Sequence, residues 1–494
     1  MDAYYFTEEH NLFRESLRAF LDREVMPNID SWEEAQRIPP EVWQKMGAQG
    51  FLGLGYPAAY GGSELDFFFD VVFVEEISKC FSGGFAINQM VVQYMSAPYL
   101  LKHGSESLKA KYLPGIVSGE LISAIGISEP GAGSDVANIQ TTARREGDVY
   151  VVDGAKTFIT NAVYGDLIVT VVKTDPAAGI GGISLLVIDR QAEGVSATKL
   201  RKLGWHASDT AELSFDGVRV PAENLVGEEG QGFYYLMGGL QLERLVGAIG
   251  AYAGCESALA YTLEYMGQRK AFGRPISKFQ VLRHRIAQLA AEVESVKQFV
   301  RHCARMHNDG HYAVKESSMA KLLATELADK VMYQCLQCFG GYGYMEEYKI
   351  ARMFRDSRIG TIGGGTSEIM REIIAKMVID DQQYQSAGTA PAAPATDLDA
   401  LLPRLTEKVA AAPRLGSRLK LALGTRSLLI DGTGDANALQ AQDGPADCTL
   451  SLAEGDFVDL LRGKLDPMAA LMGGKLTIDG DMAVAMKVQS LFGG

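Results

Sequence analysis

The sequence predicts a multidomain α+β protein. A helical domain is expected over residues 1–121, a β-domain over 122–230, a helical bundle over 231–381, a linker over 382–397 and a small α/β unit over 398–494. Three observations predict this order. Apolar residues recur at helical spacing up to about residue 120 and again from Phe233 to about Ile379. Between these blocks, β-branched runs with period-2 alternation dominate. After Asp381 the chain loses periodicity and becomes rich in Gln, Ala, Pro, Ser, Gly and Thr, which reads as a linker stiffened by its prolines.

The elements follow in order. Thr7-Glu-Glu-His opens the first helix, with Phe13, Leu17 and Phe20 at helical spacing. Pro39-Pro40 starts another, and the glycine-rich stretch Gly53–Gly62 reads as a loop. Apolar helices are expected at Leu65–Lys79 and Ala86–His103, and a short one, Leu108–Leu113, ending at Pro114. In the β-domain, strands are expected at Val149-Tyr-Val-Val, Lys156-Thr-Phe-Ile-Thr, Leu167-Ile-Val-Thr-Val-Val, Ile183-Ser-Leu-Leu-Val-Ile and Ala211-Glu-Leu-Ser-Phe. Turns separate them at Asp153-Gly154, Gly179–Gly182 and Asp216-Gly217. The bundle has breaks at Phe272-Gly-Arg-Pro-Ile and Phe339-Gly-Gly-Tyr-Gly. The last unit reads as a helix (Leu398–Ala411), strands at Leu419–Leu423, Ser427–Asp431 and Cys448–Leu452, and a helix (Phe457–Leu461). A Met/Leu-rich stretch (Pro467–Gly473), Lys475-Leu-Thr-Ile-Asp and a closing helix (Ala483–Phe492) end it.

A net charge of −14 argues against nucleic-acid partners, because phosphate binding needs a basic surface. No apolar run is long enough for a transmembrane segment. The N-terminus lacks a basic start, an apolar signal core and the Arg-rich pattern of a presequence, so a cytoplasmic, bacterial-type location is expected. The six scattered cysteines suit free thiols in a reduced compartment. Cys335-x-x-Cys338 lacks the second pair that a zinc site needs, and Asn308-Asp-Gly breaks the helix between His307 and His311. No metal is expected.

One acid stands out by position. In Gln241-Leu-Glu-Arg-Leu, Glu243 shares a helix face with Leu236 and Leu240 before it and Gly247, Gly250 and Gly254 after it. A carboxylate on an apolar stripe beside side-chain-free turns suits a general base raised by burial. The same pattern also fits a helix-surface acid whose glycines serve helix packing.

Ser128-Glu-Pro-Gly-Ala-Gly-Ser-Asp135 combines small residues, which let backbone amides approach a ligand, with two hydroxyl donors. It resembles the signature of the acyl-CoA dehydrogenase family. Further matches follow in order: Phe158-Ile-Thr-Asn161, Leu203-Gly-Trp-His-Ala-Ser-Asp-Thr-Ala, Gln268-Arg-Lys-Ala-Phe-Gly-Arg-Pro, Gln337-Cys-Phe-Gly-Gly-Tyr-Gly and Gly363-Gly-Gly-Thr-Ser-Glu-Ile, together covering about residues 5–380. The resemblance implies that family's fold and FAD bound partly across a subunit interface, hence a homotetramer or homodimer. Ile125, Ile127, Ser128, Phe158 and Thr160 would contact the flavin end. Arg269, Phe272, Gln280, Gln337, Gly340 and Gly341 would serve the pyrophosphate and adenosine end of a neighbour's FAD, with Thr366 and Glu368 completing that cradle. Ser134, Arg244 and Gly364 would lie against the substrate. The implied reaction is α,β-dehydrogenation of an acyl-CoA, with an α-proton taken by a carboxylate, hydride passing to flavin N5 and electrons leaving to an electron-transfer flavoprotein.

The chain departs from the commonest pattern at one position. Many members carry the base immediately before the Gly-Thr of the last motif, where this chain has Gly364. The isovaleryl-CoA and long-chain enzymes place it instead in the helix that opens the bundle, and Gln241-Leu-Glu-Arg-Leu-Val resembles that segment. Glu243 is therefore the expected base, ahead of Glu368 and Glu372. The alternatives are a flavin-dependent acyl-CoA oxidase and a non-catalytic acyl-CoA or lipid-binding protein.

The C-terminal unit is similar to the sterol carrier protein type 2 family. The similarity is carried by Ala446-Asp-Cys-Thr-Leu-Ser-Leu, Asp456-Phe-Val-Asp-Leu-Leu-Arg-Gly-Lys-Leu-Asp-Pro and the segment from Gly473 to Lys487. It implies a lipid ligand, with Met468, Leu471, Met472 and Met482 as adaptable lining, and a long, branched or bulky acyl substrate.

Overall fold

Thr7 opens the first helix, α1 (Glu8–Phe20), by accepting a hydrogen bond from the His10 amide. The computed structural model describes residues 4–382, 384, 397–423, 426–461, 476–480 and 484, in two compact units, Met1–Ala387 and Gly388–Gly494. The first unit continues through α2 (Ile29–Ala35), α3 (Pro40–Ala48), α4 (Phe67–Ser78), α5 (Gly83–Met90), α6 (Ala97–His103) and α7 (Glu106–Ser118). Their core gathers Trp43, Phe73 and Phe85.

Two expectations in this region change. The predicted helix Ala86–His103 is α5 and α6 joined by a wider π-helical segment, Val91–Ser96. Pro98 has no N–H to return to an α-helical ladder, and the Ser96 hydroxyl donates instead to the Val91 carbonyl at 2.9 Å. The helix expected to stop at Pro114 runs through it to Ser118, because Leu113, Ile116 and Val117 are buried on both sides of the proline.

Seven strands follow: β1 (Ser123–Gly126), β2 (Thr142–Glu146), β3 (Val149–Thr160), β4 (Leu167–Lys173), β5 (Ile183–Asp189), β6 (Val195–Lys199) and β7 (Thr210–Pro221). The sheet order is β1-β4-β2-β3-β7-β6, with β5 on β4. The turns expected at Asp153-Gly154 and Asp216-Gly217 are not turns. They face each other inside the β3–β7 ladder as a bulge, with the Gly217 amide donating to Asp153 Oδ1 at 2.8 Å. Gly154 is required there: at φ +144° an added Cβ would lie 2.7 Å from the Thr141 Cα. A second irregularity between Lys156 and Ile159 turns Phe158 out of the sheet.

The bundle comprises α8 (Gly232–Gln268), the small hairpin β8 (Lys270–Ala271) and β9 (Arg274–Pro275), then α9 (Gln280–Asn308), α10 (Val314–Phe339), α11 (Lys349–Ser357) and α12 (Ser367–Val378). Glu75 of α4 ties the helical layers together. It pairs with Arg14 at 2.6 Å and Arg301 at 2.8 Å and accepts from the Tyr252 hydroxyl at 2.6 Å. No helix among the described residues is long and apolar enough to cross a membrane.

The second unit has α13 (Asp397–Ala411), β10 (Arg418–Leu423), β11 (Arg426–Asp431), β12 (Ala438–Gln440), β13 (Cys448–Ser451), α14 (Glu454–Leu461) and β14 (Thr477–Gly480). Its sheet order is β12-β11-β10-β13-β14, over a core of Leu405, Val409, Leu421, Ile430 and Phe457. β12 was not foreseen. The Met/Leu-rich stretch with Met468, Leu471 and Met472, together with Met482, lies outside the described residues, as do the closing helix except Val484 and the 382–397 linker except Gln382, Tyr384 and Asp397.

Candidate active site

Glu243 lies near the start of α8, where the helix passes α6. Its side chain is 8% exposed, and Oε1 accepts a 2.9 Å hydrogen bond from the Tyr99 hydroxyl. Burial pushes its pKa up to about 7, with the Tyr99 hydrogen bond and the Arg244 charge pulling the other way. Gly239, one turn earlier, makes room for the phenol: an added Cβ would stand 2.2 Å from the Tyr99 hydroxyl oxygen.

One turn beyond Glu243, a Cβ at Gly247 would meet nothing within 4 Å, so open space adjoins the acid. The slot does not extend along the whole glycine face. At Gly250 a Cβ would meet Ser78 Oγ at 3.1 Å and at Gly254 Met332 Cε at 3.8 Å, so these two glycines serve packing against neighbouring helices.

Arg244 points about 100° round the helix and is 6% exposed. Its Nη1 donates to Gln241 Oε1 at 3.3 Å, while Nε is buried without a hydrogen-bond partner among the described residues. Burial lowers its pKa. Lys321 of α10, brought down to about 8 by burial and then by the Arg244 charge, donates to the Gly365 carbonyl at 2.5 Å. It thereby holds the loop in which Gly364 sits exposed at φ +64°, with open space where a side chain would project. Glu372, the second rival acid, is exposed and lies 3.6 Å from Lys376.

A second group gathers at the end of β1. Ile125 lies in β1, and Ile127 and Ser128 follow it, half-buried. The Ile127 carbonyl accepts from Lys156 Nζ at 3.1 Å and the Ser128 carbonyl from the Thr157 amide at 2.8 Å. This places them beside Phe158 and Thr160 of β3. Phe158 is 71% exposed at φ +63°, a conformation that costs a bulky residue about 1–3 kcal/mol and persists where the surrounding structure over-determines it. Ser134 lies exposed in the following loop. That loop is anchored by Glu129, which pairs with the fully buried Lys156 at 2.8 Å.

Arg269, Gln337, Gly340 and Gly341 line one open cleft of about 580 Å³ with Tyr265, Phe339 and Tyr342. The Arg269 guanidinium sits 5.5 Å from the Tyr342 ring, and added Cβ atoms at Gly340 and Gly341 would meet nothing within 4 Å. The structure does not complete this cradle with Thr366 and Glu368. They line a separate cleft of about 320 Å³ with Glu326, Asp329, Arg358, Thr361, Ile362 and Ser367. The separation follows from α10, since Gln337 lies roughly 12 Å beyond Asp329 at 1.5 Å per residue. Thr366 caps α12 through the Ile369 amide at 3.2 Å, and Glu368 is held below the usual carboxylate range by its own amide and by the Thr366 hydroxyl. Phe272, 95% exposed at φ +48°, and Gln280, first residue of α9, lie outside the lining of both clefts.

The sequence reading did not single out Tyr99, Gly239 or Lys321. A tyrosine inside an apolar helix is itself a signal, since a buried phenol needs an acceptor.

Three consecutive models of known families match the first unit: acyl-CoA dehydrogenase, N-terminal domain, over residues 7–120; middle domain over 124–218; and C-terminal domain over 230–379. The long-chain specific acyl-CoA dehydrogenase of Mus musculus is 40% identical over 381 residues, 76% of this chain and 88% of the mouse protein. The chain belongs to the acyl-CoA dehydrogenase family. It is an oxidoreductase of that family, with its helical, β and helical domains in the family order. The SCP-2 sterol transfer family matches residues 398–493, so a domain of that family follows. A crystal structure of acyl-CoA dehydrogenase from Geobacillus kaustophilus matches with TM-score 0.73 and 47% identity, covering 76% of this chain and 99% of that one. A glutaryl-CoA dehydrogenase from Mycobacterium smegmatis in complex with FADH2 matches with TM-score 0.72 and 26% identity, covering 78% and 97%.

Proposed function

We propose that the protein dehydrogenates a long, branched or bulky acyl-CoA to the trans-2-enoyl-CoA, with Glu243 as the base. The observation that carries this is a buried carboxyl group beside open space, in a family site whose commonest base position is glycine here. A pKa near 7 keeps a useful fraction of Glu243 ionised at neutral pH while leaving it basic enough to take an α-proton. Arg244, buried with a free Nε, supplies positive charge on the substrate side. Ser134 and the exposed backbone at Gly364 complete the substrate-facing set.

The residues present fit FAD. Phe158 and Thr160, with Ile125, Ile127 and Ser128, would hold the flavin end. The Arg269, Gln337, Gly340 and Gly341 cleft has a cation, an aromatic wall and open glycine backbone suited to a dinucleotide's pyrophosphate and adenine, and Phe272 and Gln280 would serve the same end from outside its lining. Thr366 and Glu368 would contact FAD from their own cleft. In the family FAD is bound partly across a subunit interface, so a homodimer or homotetramer is the proposed working unit. FAD, when bound, supplies the two-electron acceptor that takes the β-hydrogen as hydride at N5. An electron-transfer flavoprotein is the proposed onward acceptor, and the C-terminal domain the holder of a lipid ligand.

Anaerobic mixing with a series of acyl-CoAs tests the reading through flavin bleaching. Glu243→Gln is expected to keep its FAD and lose bleaching by at least about a hundredfold, as removal of a general base does. Glu368→Gln is expected to bleach at a near-normal rate. Bleaching by the Glu243 variant at a near-normal rate would overturn the assignment.

A further inference from the structure

We propose that Tyr99 is the positioning residue of the Glu243 base, its hydroxyl holding Oε1 so that Oε2 takes the substrate proton. The inference rests on the reading of Glu243 as base and adds a residue from another domain to it. The geometry is specific. Tyr99 is 3% exposed and its hydroxyl donates to Glu243 Oε1 at 2.9 Å. No other hydrogen bond reaches that carboxyl group among the described residues. The approach is built into α8, since only glycine at 239 leaves room for the phenol.

The groups around the pair come from three directions. Tyr99 faces Glu243 from α6, and Arg244 adjoins it on α8. Tyr312, in the α9–α10 connection, faces Tyr99 and Arg244, and its hydroxyl donates to the Met237 carbonyl at 3.2 Å. Lys321 of α10 faces Arg244. Among the described residues, only Tyr99 donates a hydrogen bond to the carboxylate. A donor on Oε1 stabilises the ionised form and fixes the plane of the group, leaving the second oxygen without a hydrogen-bond donor among the described residues. In the step it serves, the α C–H bond breaks, its proton bonds to Oε2, and the Tyr99 proton stays on the phenol.

The test is the pH profile of anaerobic flavin reduction by acyl-CoA in the FAD-loaded enzyme. In Tyr99→Phe the acid limb is expected to move up by about one unit, giving about tenfold slower bleaching at pH 6 and near-equal rates above pH 9. Gly239→Ala, which pushes the hydroxyl away without removing it, is expected to shift the limb in the same direction. An unchanged limb in either variant, with FAD bound and Glu243→Gln inactive, would overturn the role of Tyr99 while leaving the base in place. Bleaching by Glu243→Gln would instead remove the base reading itself.

Discussion

Glu243 carries a stability cost that its proposed role as a base explains. Its folded pKa is raised to about 7 by burial, above the ordinary carboxyl value of 4.5. The folded state therefore holds the proton more tightly than the unfolded chain. Its contribution is most favourable below the ordinary value and is lost as pH rises through about 7. Glu243→Gln should then raise stability at pH 8 by about 3 kcal/mol and at pH 5 by less than about 1 kcal/mol, read as the difference in urea midpoints between variant and parent. Equal shifts at both pH values would mean that the acid is not strained by burial. The position of this acid was legible in the sequence, because a carboxylate on an apolar helical stripe beside glycines is a local pattern. Its partner was not. Tyr99 is 144 residues away, and nothing in a single chain pairs a phenol with a carboxylate across that separation.

At the scale of elements, the β-domain holds the residues proposed to face the flavin in place through one buried ion pair. Lys156 of β3 donates to Glu129 Oε1 at 2.8 Å, and the same carboxylate accepts from the Thr141 amide at 2.9 Å. This closes the loop that carries Ser134 onto the strand that carries Phe158. Lys156→Met should leave Glu129 buried without its cation, lowering stability by about 3 kcal/mol in urea unfolding and loosening FAD. Adding Glu129→Gln should recover most of the stability. The period-2 runs placed β3, β4, β5 and β7 but not β1, β2 and β6, and they misread Asp153-Gly154 and Asp216-Gly217. Each dipeptide is a good hairpin turn on its own, and only their cross-strand pairing makes them a bulge within β3 and β7. Pro114 misled for a similar reason: helix punctuation is local, while the burial of Leu113, Ile116 and Val117 that carries α7 past it is tertiary.

At the scale of the whole molecule, each unit gathers its own buried core among the described residues, that of the second running from Leu398 to Val484. The change in periodicity after Asp381 made this division readable in the sequence, since a stretch without apolar repeats cannot join a packed layer. The cleft residues Arg269, Gln337, Thr366 and Glu368, the proposed base Glu243 and the strands around Phe158 all belong to the first unit. A chain ending at Ala387 should therefore fold, keep its FAD and bleach with a short acyl-CoA at the rate of the full chain. Heating the full chain should give two separable transitions, one of which the truncated chain lacks. If the C-terminal domain acts in substrate supply, its removal should leave the maximal rate unchanged and raise KM, by about tenfold or more, only for acyl chains too insoluble to reach the site unaided. A maximal rate that falls on short substrates would show that the second unit supports the catalytic fold rather than feeding it.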